Sequence, residues 1–264
     1  MAPPDGDRLL IPALLLSTAL VGGCRSTPPK ERPTLQVAAA ADLTLAFEEL
    51  GKLYRARTGQ RVTFSFGASG ALAAQLSQGA PFDLFAAANR GFVDSAVQAG
   101  ACDGSSRASY ARGHVVVWSK RGGTILRALD DLQNPDIKHI AIANPEHAPY
   151  GKAAREALKK AGLWPALESK IVQAENVRQA LQFAQTGNAD VAIIARSLVA
   201  KDDTGSQLAI AQALYAPIEQ TLVVCKRGKD ADGARAFAQL ALSSDGQALL
   251  ERYGFEGSAK QPDK

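Results

Sequence analysis

From Leu35 onward the chain alternates short apolar runs with amphipathic stretches, and that alternation leaves few folds open to it. LQVAAAA (35–41) is apolar at nearly every position, the pattern of a strand buried on both faces. Over 43–58, Leu43, Ala46, Phe47, Leu50, Leu53 and Tyr54 recur at helical spacing. Glu48, Glu49, Lys52 and Arg55 fill the rest of the wheel, and Gly59 supplies a stop. RVTFSF (61–66) reads as the next strand, GASG (67–70) as a turn, ALAAQLSQG (71–79) as a helix closed by Gly79, and FDLFAAA (82–88) as a third strand. Parallel strands need a crossover, so this β-α-β-α-β order predicts a mostly parallel sheet with helices on both faces.

A second series of the same kind follows. HVVVWSK (114–120) is a strand, and KHIAIAN (138–144) is a strand leading to a helix over about 151–161. SKIVQA (169–174) leads to a helix over about 177–186, then ADVAIIA (189–195), QTLVVCK (220–226) and a terminal helix or pair over 230–252. No sequence repeat links the halves, yet they share an architecture. Two α/β lobes with a cleft between them is the economical fold. Lobe I would hold 35–112 with 219–262 and lobe II would hold 113–218, the strands 114–120 and 220–226 carrying the chain across and back.

Ahead of this stands a segment of another kind. Arg8 precedes the apolar run LLIPALLLSTALV (9–21). That run is short of the roughly 20 residues a bilayer span needs, but it fits the h-region of a secretory signal over 1–23. It ends V-G-G-C, similar to the processing site of bacterial lipoproteins, so Cys24 is expected to carry lipid and 24–34 to act as a Pro-stiffened tether. The whole chain is 46% hydrophobic, enough apolar material for one large or two modest cores. Its formal net charge of +4 is spread without a basic block, which argues against nucleic-acid binding. Cys102 and Cys225 remain; an exported chain permits a bridge, but their separation alone establishes none.

In open α/β sheets ligands sit beyond the carboxyl ends of strands, where loops lead into helix N-termini. Four such corners stand out: Ala41-Asp42-Leu43, Ala68-Ser69-Gly70, Pro149-Tyr150-Gly151 and Glu175-Asn176-Val177, two for each lobe. Helix N-termini present unpaired N–H groups and a partial positive charge, so four of them around one cleft would hold a small dianion without lysine or arginine. Taken one at a time, Asp42, Ser69 and Asn176 are equally good N-cap residues, and spacing does not separate the two roles. Glu146 and His147, with His139 nearby in sequence, lack the spacing of a metal site. No G-x-S-x-G follows a strand, so a Ser-His-Asp hydrolase is not indicated.

Over about Leu35 to Phe255 the sequence resembles the periplasmic molybdate-binding proteins of bacterial ABC importers. The resemblance is carried by AAADLT (39–44), FGASGALAAQL (66–76), GAPFDLFAAA (79–88), IANPEHAPYGKAAREAL (142–158), AENVRQAL (174–181) and RYGF (252–255), which are specific in combination. It implies a type II periplasmic-binding fold that closes on molybdate or tungstate with neutral donors. Ser69 would give its hydroxyl and N–H, Tyr150 its phenol or N–H, Val177 its N–H, and the Ala41–Asp42 corner further donors. It also implies a non-enzymatic, monomeric periplasmic receptor without cofactor or free metal cation, a permease as partner, and contact with the membrane through its lipid alone.

Two positions depart from the family. Where many members have Ser, Thr or Asn, this chain has Asp42, and an ionised carboxylate cannot donate a hydrogen bond. Where some members use a Tyr, it has Ala195, for which Tyr150 would substitute. Three readings of Asp42 follow. It turns away and caps its helix; or it is protonated and donates, burial beside an anion raising its pKa; or it accepts from a protonated oxyanion, which would make the ligand phosphate- or arsenate-like. An enzyme built on the same fold is the competing class.

Overall fold

The computed structural model describes Met1 and residues 32–257. The expected signal segment, Cys24 and most of the tether lie outside the described residues. The chain opens with β1 (Leu35–Ala40), α1 (Thr44–Thr58), β2 (Val62–Gly67), α2 (Ser69–Ser77), β3 (Leu84–Ala87), α3 (Arg90–Gln98) and β4 (Ala108–Gly113). Next come β5 (Val115–Lys120), β6 (Ile140–Ala143), α4 (Pro149–Lys160), α5 (Trp164–Leu167), β7 (Ile171–Ala174), α6 (Val177–Thr186), β8 (Val191–Ala195) and β9 (Gly205–Ala209). It closes with β10 (Ile218–Val224), α7 (Ala231–Leu242), α8 (Ser244–Arg252) and β11 (Glu256–Gly257).

These strands form two sheets, ordered β11-β4-β10-β3-β1-β2 and β7-β6-β8-β5-β9. Each has a parallel block of three strands, β2-β1-β3 and β7-β6-β8. Antiparallel strands extend both blocks, so the sheets are mixed where the sequence predicts mostly parallel ones. The antiparallel members β4 and β9 escape sequence reading because ASYARG and GSQLA carry too few apolar residues to signal a strand. The crossing between sheets also differs from expectation. Strand 115–120 lies inside the second sheet, and the chain passes over at Gly113–His114 and returns between Tyr215 and Ile218. The Tyr215 hydroxyl accepts the Val115 N–H at 3.1 Å, fastening the two passages together.

β1 lies between β3 and β2 in the parallel block and is buried along almost its whole length, as its unbroken apolar run requires. α1 lays Ala46, Phe47, Leu50 and Tyr54 on the first sheet and ends at Gly59 in the left-handed conformation (φ 74°). Phe47 meets Phe237 and Tyr110 at centroid distances of 5.6 and 6.0 Å, and Tyr54 meets Phe237 edge-on at 5.4 Å. Each such aromatic pair contributes about 0.5–1.5 kcal/mol beyond the apolar area it buries. Asp83, in the Gly-Ala-Pro-x-Asp run, is buried and ties two elements together. Its carboxylate accepts the N–H groups of Gln36 (2.7 Å) and Asp230 (2.8 Å), joining β1 to the start of α7. In the second sheet α4 buries Ala153, Ala154, Ala157 and Leu158, while α6 buries Val177, Ala180, Leu181 and Ala184.

Candidate functional site

β1 and β2 run parallel, as do β6 and β7, so the four corners that follow them all lie at strand carboxyl ends. The corners surround one small hollow whose walls include Ala41, Asp42, Ser69, Ala88, Tyr150 and Val177. The space open to the centre of a water-sized sphere is about 10 Å³, close to that of a single such sphere. Ser69, Tyr150 and Val177 are buried, and no lysine or arginine lines the hollow. The opposite corners touch: the Gly70 N–H donates to the His147 carbonyl at 2.9 Å. A Cβ on Gly70 would fall 2.9 Å from that same oxygen, so glycine permits the approach. Gly151 does the same for α4, where a Cβ would lie 2.0 Å from the Ala143 carbonyl oxygen.

Helix capping at this region differs from that at α3, α7 and α8, although the four-residue α5 also lacks a side-chain cap. Away from the hollow, α3, α7 and α8 are capped by Asn89, Asp230 and Ser243, whose side chains accept the N–H of Gly91, Gly233 and Gly246. At the hollow the N-cap positions of α2 and α4 are Ala68 and Ala148, which have no group to offer, and the turn 41–43 begins after Ala40. Pro149 at the head of α4 carries no N–H, so the Tyr150 N–H is that helix's first donor. Asn176 does cap α6, but it takes the N–H groups of Arg178 and Gln179 and leaves that of Val177 uncapped. Unclaimed helix N–H groups thus gather where an anion would satisfy them.

Ser69 is the first residue of α2 and not its cap. Its Oγ accepts the Ala88 N–H at 3.1 Å, which leaves the hydroxyl hydrogen free to donate. Ala88 escapes sequence reading because an alanine's N–H carries no side-chain signature. Tyr150 lines the hollow and also reaches beyond it. Its Oη stands where a Cβ on Gly113 would come within 2.0 Å, close also to the Asp42 carboxylate.

Asp42 resolves in an unexpected way. It caps no helix; neither the 41–43 turn nor α1 has a side-chain cap. Its carboxylate instead reaches back to β10, where Oδ2 accepts from Gln220 Nε2 at 2.5 Å, while its carbonyl accepts the Ser197 hydroxyl at 2.8 Å. Burial pushes the Asp42 pKa up from 3.8 to about 7, against the opposing pull of Tyr150 and Gln220. Burial, and next the Asp42 charge, hold the phenols of Tyr110 and Tyr150 well above the usual tyrosine range. Asp42 Oδ1, Tyr110 Oη, Tyr150 Oη and Gln220 Oε1 are all buried without a hydrogen-bond partner. The Tyr150 hydroxyl is near enough to the carboxylate to depress its pKa without closing a well-formed bond to it. Gln220 and Tyr110 form this layer behind the hollow, and neither is legible from sequence.

Beside the hollow a groove of about 680 Å³ opens between α1 and α6, lined by Thr44, Leu45, Phe66, Arg178 and Gln182 and sharing Ala41 and Asn176 with it. It is too broad to enclose a small ion. Glu146, the acidic member of the weak metal candidate, pairs with Arg155 at 2.8 Å, and no cluster of three metal-ligating side chains occurs among the described residues.

Comparisons with known proteins agree with this geometry. The sequence profile of the family described as bacterial extracellular solute-binding protein matches residues 35–256. The molybdate-binding protein ModA of Rhodobacter capsulatus is 37% identical over 221 residues, 83% of this chain and 86% of that protein. ModA of Azotobacter vinelandii is 36% identical over 84% of this chain and 89% of its own length. The solved Azotobacter vinelandii periplasmic molybdate-binding protein superposes with a TM-score of 0.77 at 29% identity, covering 84% of this chain and 98% of that one. The fold is accordingly the two-lobe fold of periplasmic binding proteins, and the role is that of a receptor and not an enzyme. The chain belongs to the bacterial extracellular solute-binding protein family.

Proposed function

We propose that this protein captures molybdate or tungstate outside the cytoplasmic membrane and hands it to the membrane subunits of an ABC importer, working as a monomer tethered through lipid on Cys24. The observation that carries the reading is the set of unclaimed helix N–H groups around a hollow that has no basic side chain. A desolvated dianion needs many donors, and hydrogen bonds to a charged acceptor are roughly twice as strong as neutral ones. In this reading Ser69 supplies its hydroxyl and N–H, Tyr150 and Val177 their N–H groups, and the Ala41–Asp42 corner the remaining donors. The names of the Rhodobacter and Azotobacter relatives favour the same solute. Asp42 stays out of the anion's coordination shell and is protonated when the site is filled, because a dianion beside a carboxyl already lifted to about 7 lifts it further.

One observation favours a second reading. Asp42 Oδ1 has no partner, so a protonated oxyanion such as hydrogenphosphate or arsenate could donate to it. Calorimetric titration with molybdate, tungstate, sulfate and phosphate between pH 5 and 8 separates the two. Molybdate and tungstate should bind tightest. Tightest binding of phosphate would overturn the assignment.

A further inference from the structure

We propose that Cys102 and Cys225 form a structural disulfide that ties together the two arms of chain leading to and from the second sheet. The two residues face each other across an isolated antiparallel bridge. The Asp103 N–H donates to the Val224 carbonyl at 2.9 Å and the Lys226 N–H to the Ala101 carbonyl at 2.8 Å. These bonds flank the cysteines, making them a non-hydrogen-bonded pair, the register that brings opposed side chains closest. Its Cα separation of about 4.5 Å falls within the range a disulfide spans. The sulfurs approach to 2.6 Å, far inside non-bonded contact for two thiols. Both residues are buried in an apolar pocket with Phe85, Val93 and Val223.

The position gives the bond a purpose. The cysteines are 123 residues apart, and the segment between them holds the whole second sheet and both passages of the chain between lobes. A bridge here fixes the departing and returning arms to each other inside the first lobe. That lobe then stays closed at its base however the second lobe moves. Neither cysteine touches the corner hollow, so the bond acts on stability and not on the solute.

The chemistry balances by exchange with an external protein disulfide during folding, before the thiols are buried. One cysteine thiolate attacks the carrier's disulfide, forming a mixed disulfide and releasing a carrier thiolate. The second cysteine thiolate attacks the mixed disulfide, forming the Cys102–Cys225 bond and releasing the carrier's other sulfur. The carrier gains two electrons as its disulfide becomes a dithiol, and the two cysteine protons pass to its sulfurs.

The test is to trap the full-length exported protein with N-ethylmaleimide before lysis, denature it without reductant and map the peptides. A cross-linked pair containing Cys102 and Cys225, with both thiols alkylated only after reduction, is expected; alkylation of both without reduction overturns the proposal. Melting the wild-type protein with and without dithiothreitol should show a fall of roughly 10 °C, the size expected for releasing so long a loop. C102S/C225S should melt near the reduced protein and bind molybdate within about threefold of wild type. Equal melting temperatures for oxidised, reduced and double-variant protein would overturn the structural role. If the double variant does not accumulate, the wild-type melts with and without reductant decide alone.

Discussion

Replacing Asp42 by asparagine tests the buried cluster directly. In the folded protein the carboxyl's pKa is raised from 3.8 to about 7. A lifted acid binds its proton more tightly folded than unfolded, so between these two values the folded state holds the extra proton. The contribution of Asp42 to stability is therefore greatest below pH 4, declines as pH rises and levels off above 7. A lift of about three units at 1.36 kcal/mol each gives about 4 kcal/mol across that window. Because Asp42 is 1% exposed, solvent screening takes little from this figure. The asparagine side chain cannot titrate but keeps an oxygen for Gln220. Urea unfolding of both proteins from pH 4 to 8.5 isolates the effect, since titrations common to both cancel in the difference. Relative to wild type, D42N should gain up to about 4 kcal/mol on going from pH 4 to pH 8. Parallel profiles for the two proteins would refute the buried, proton-holding carboxyl. A filled site carries the same logic further: wild-type molybdate affinity should weaken up to about tenfold per pH unit above 7, while that of D42N stays flat.

Three further substitutions probe the hollow itself. Val177→Pro removes one N–H at the first position of α6, where proline is tolerated and the preceding Asn176 is already extended (φ −146°, ψ 172°); circular dichroism should be unchanged while calorimetry shows molybdate bound at least tenfold more weakly. Ser69→Ala deletes the hydroxyl donor and strands the buried Ala88 N–H, so affinity should fall about 10- to 100-fold and unfolding free energy by about 1–3 kcal/mol in urea titrations. Gly70→Ala sets a Cβ 2.9 Å from the His147 carbonyl, pushing the facing corners apart; competition calorimetry should show sulfate losing more affinity than the larger tungstate.

The parts of this fold that are legible in the sequence are those where one force dominates. β1 and α6 follow their apolar patterns almost to the residue, because a strand buried on both faces and a strongly amphipathic helix have no competing way to bury what they carry. α4 begins at Pro149, two residues before the predicted start, because proline suits the first helical position even though apolar spacing does not reveal it. α3 goes unseen although Phe92, Val93, Ala96 and Val97 of RGFVDSAVQ stand at helical spacing against the core, because only nine residues carry the pattern and they follow directly on the strand at 82–88. In the site, Ser69 and Val177 are legible from their corners. The direction of the Asp42 side chain is not, for it depends on Gln220, which lies 178 residues away and meets it only through the return strand.

That same separation explains how an acid can belong to an anion receptor. Four side-chain oxygens without partners are packed together behind the donor corners, which is an expensive arrangement while Asp42 is ionised and a milder one when it carries a proton. The acid is joined to the strand that returns from the second lobe, and Tyr150 carries the corner of α4 into contact with the opposite passage at Gly113. Charge at Asp42 is thus felt at the donor corners and at both passages between the lobes. On the proposed reading, different atoms do different work: backbone N–H groups, spaced by Gly70 and Gly151, would fix what size of tetrahedral ion fits, while the buried acid would set the pH at which a second negative charge is admitted beside it. A serine or asparagine in place of Asp42 would serve the first role equally well and leave the second unfilled.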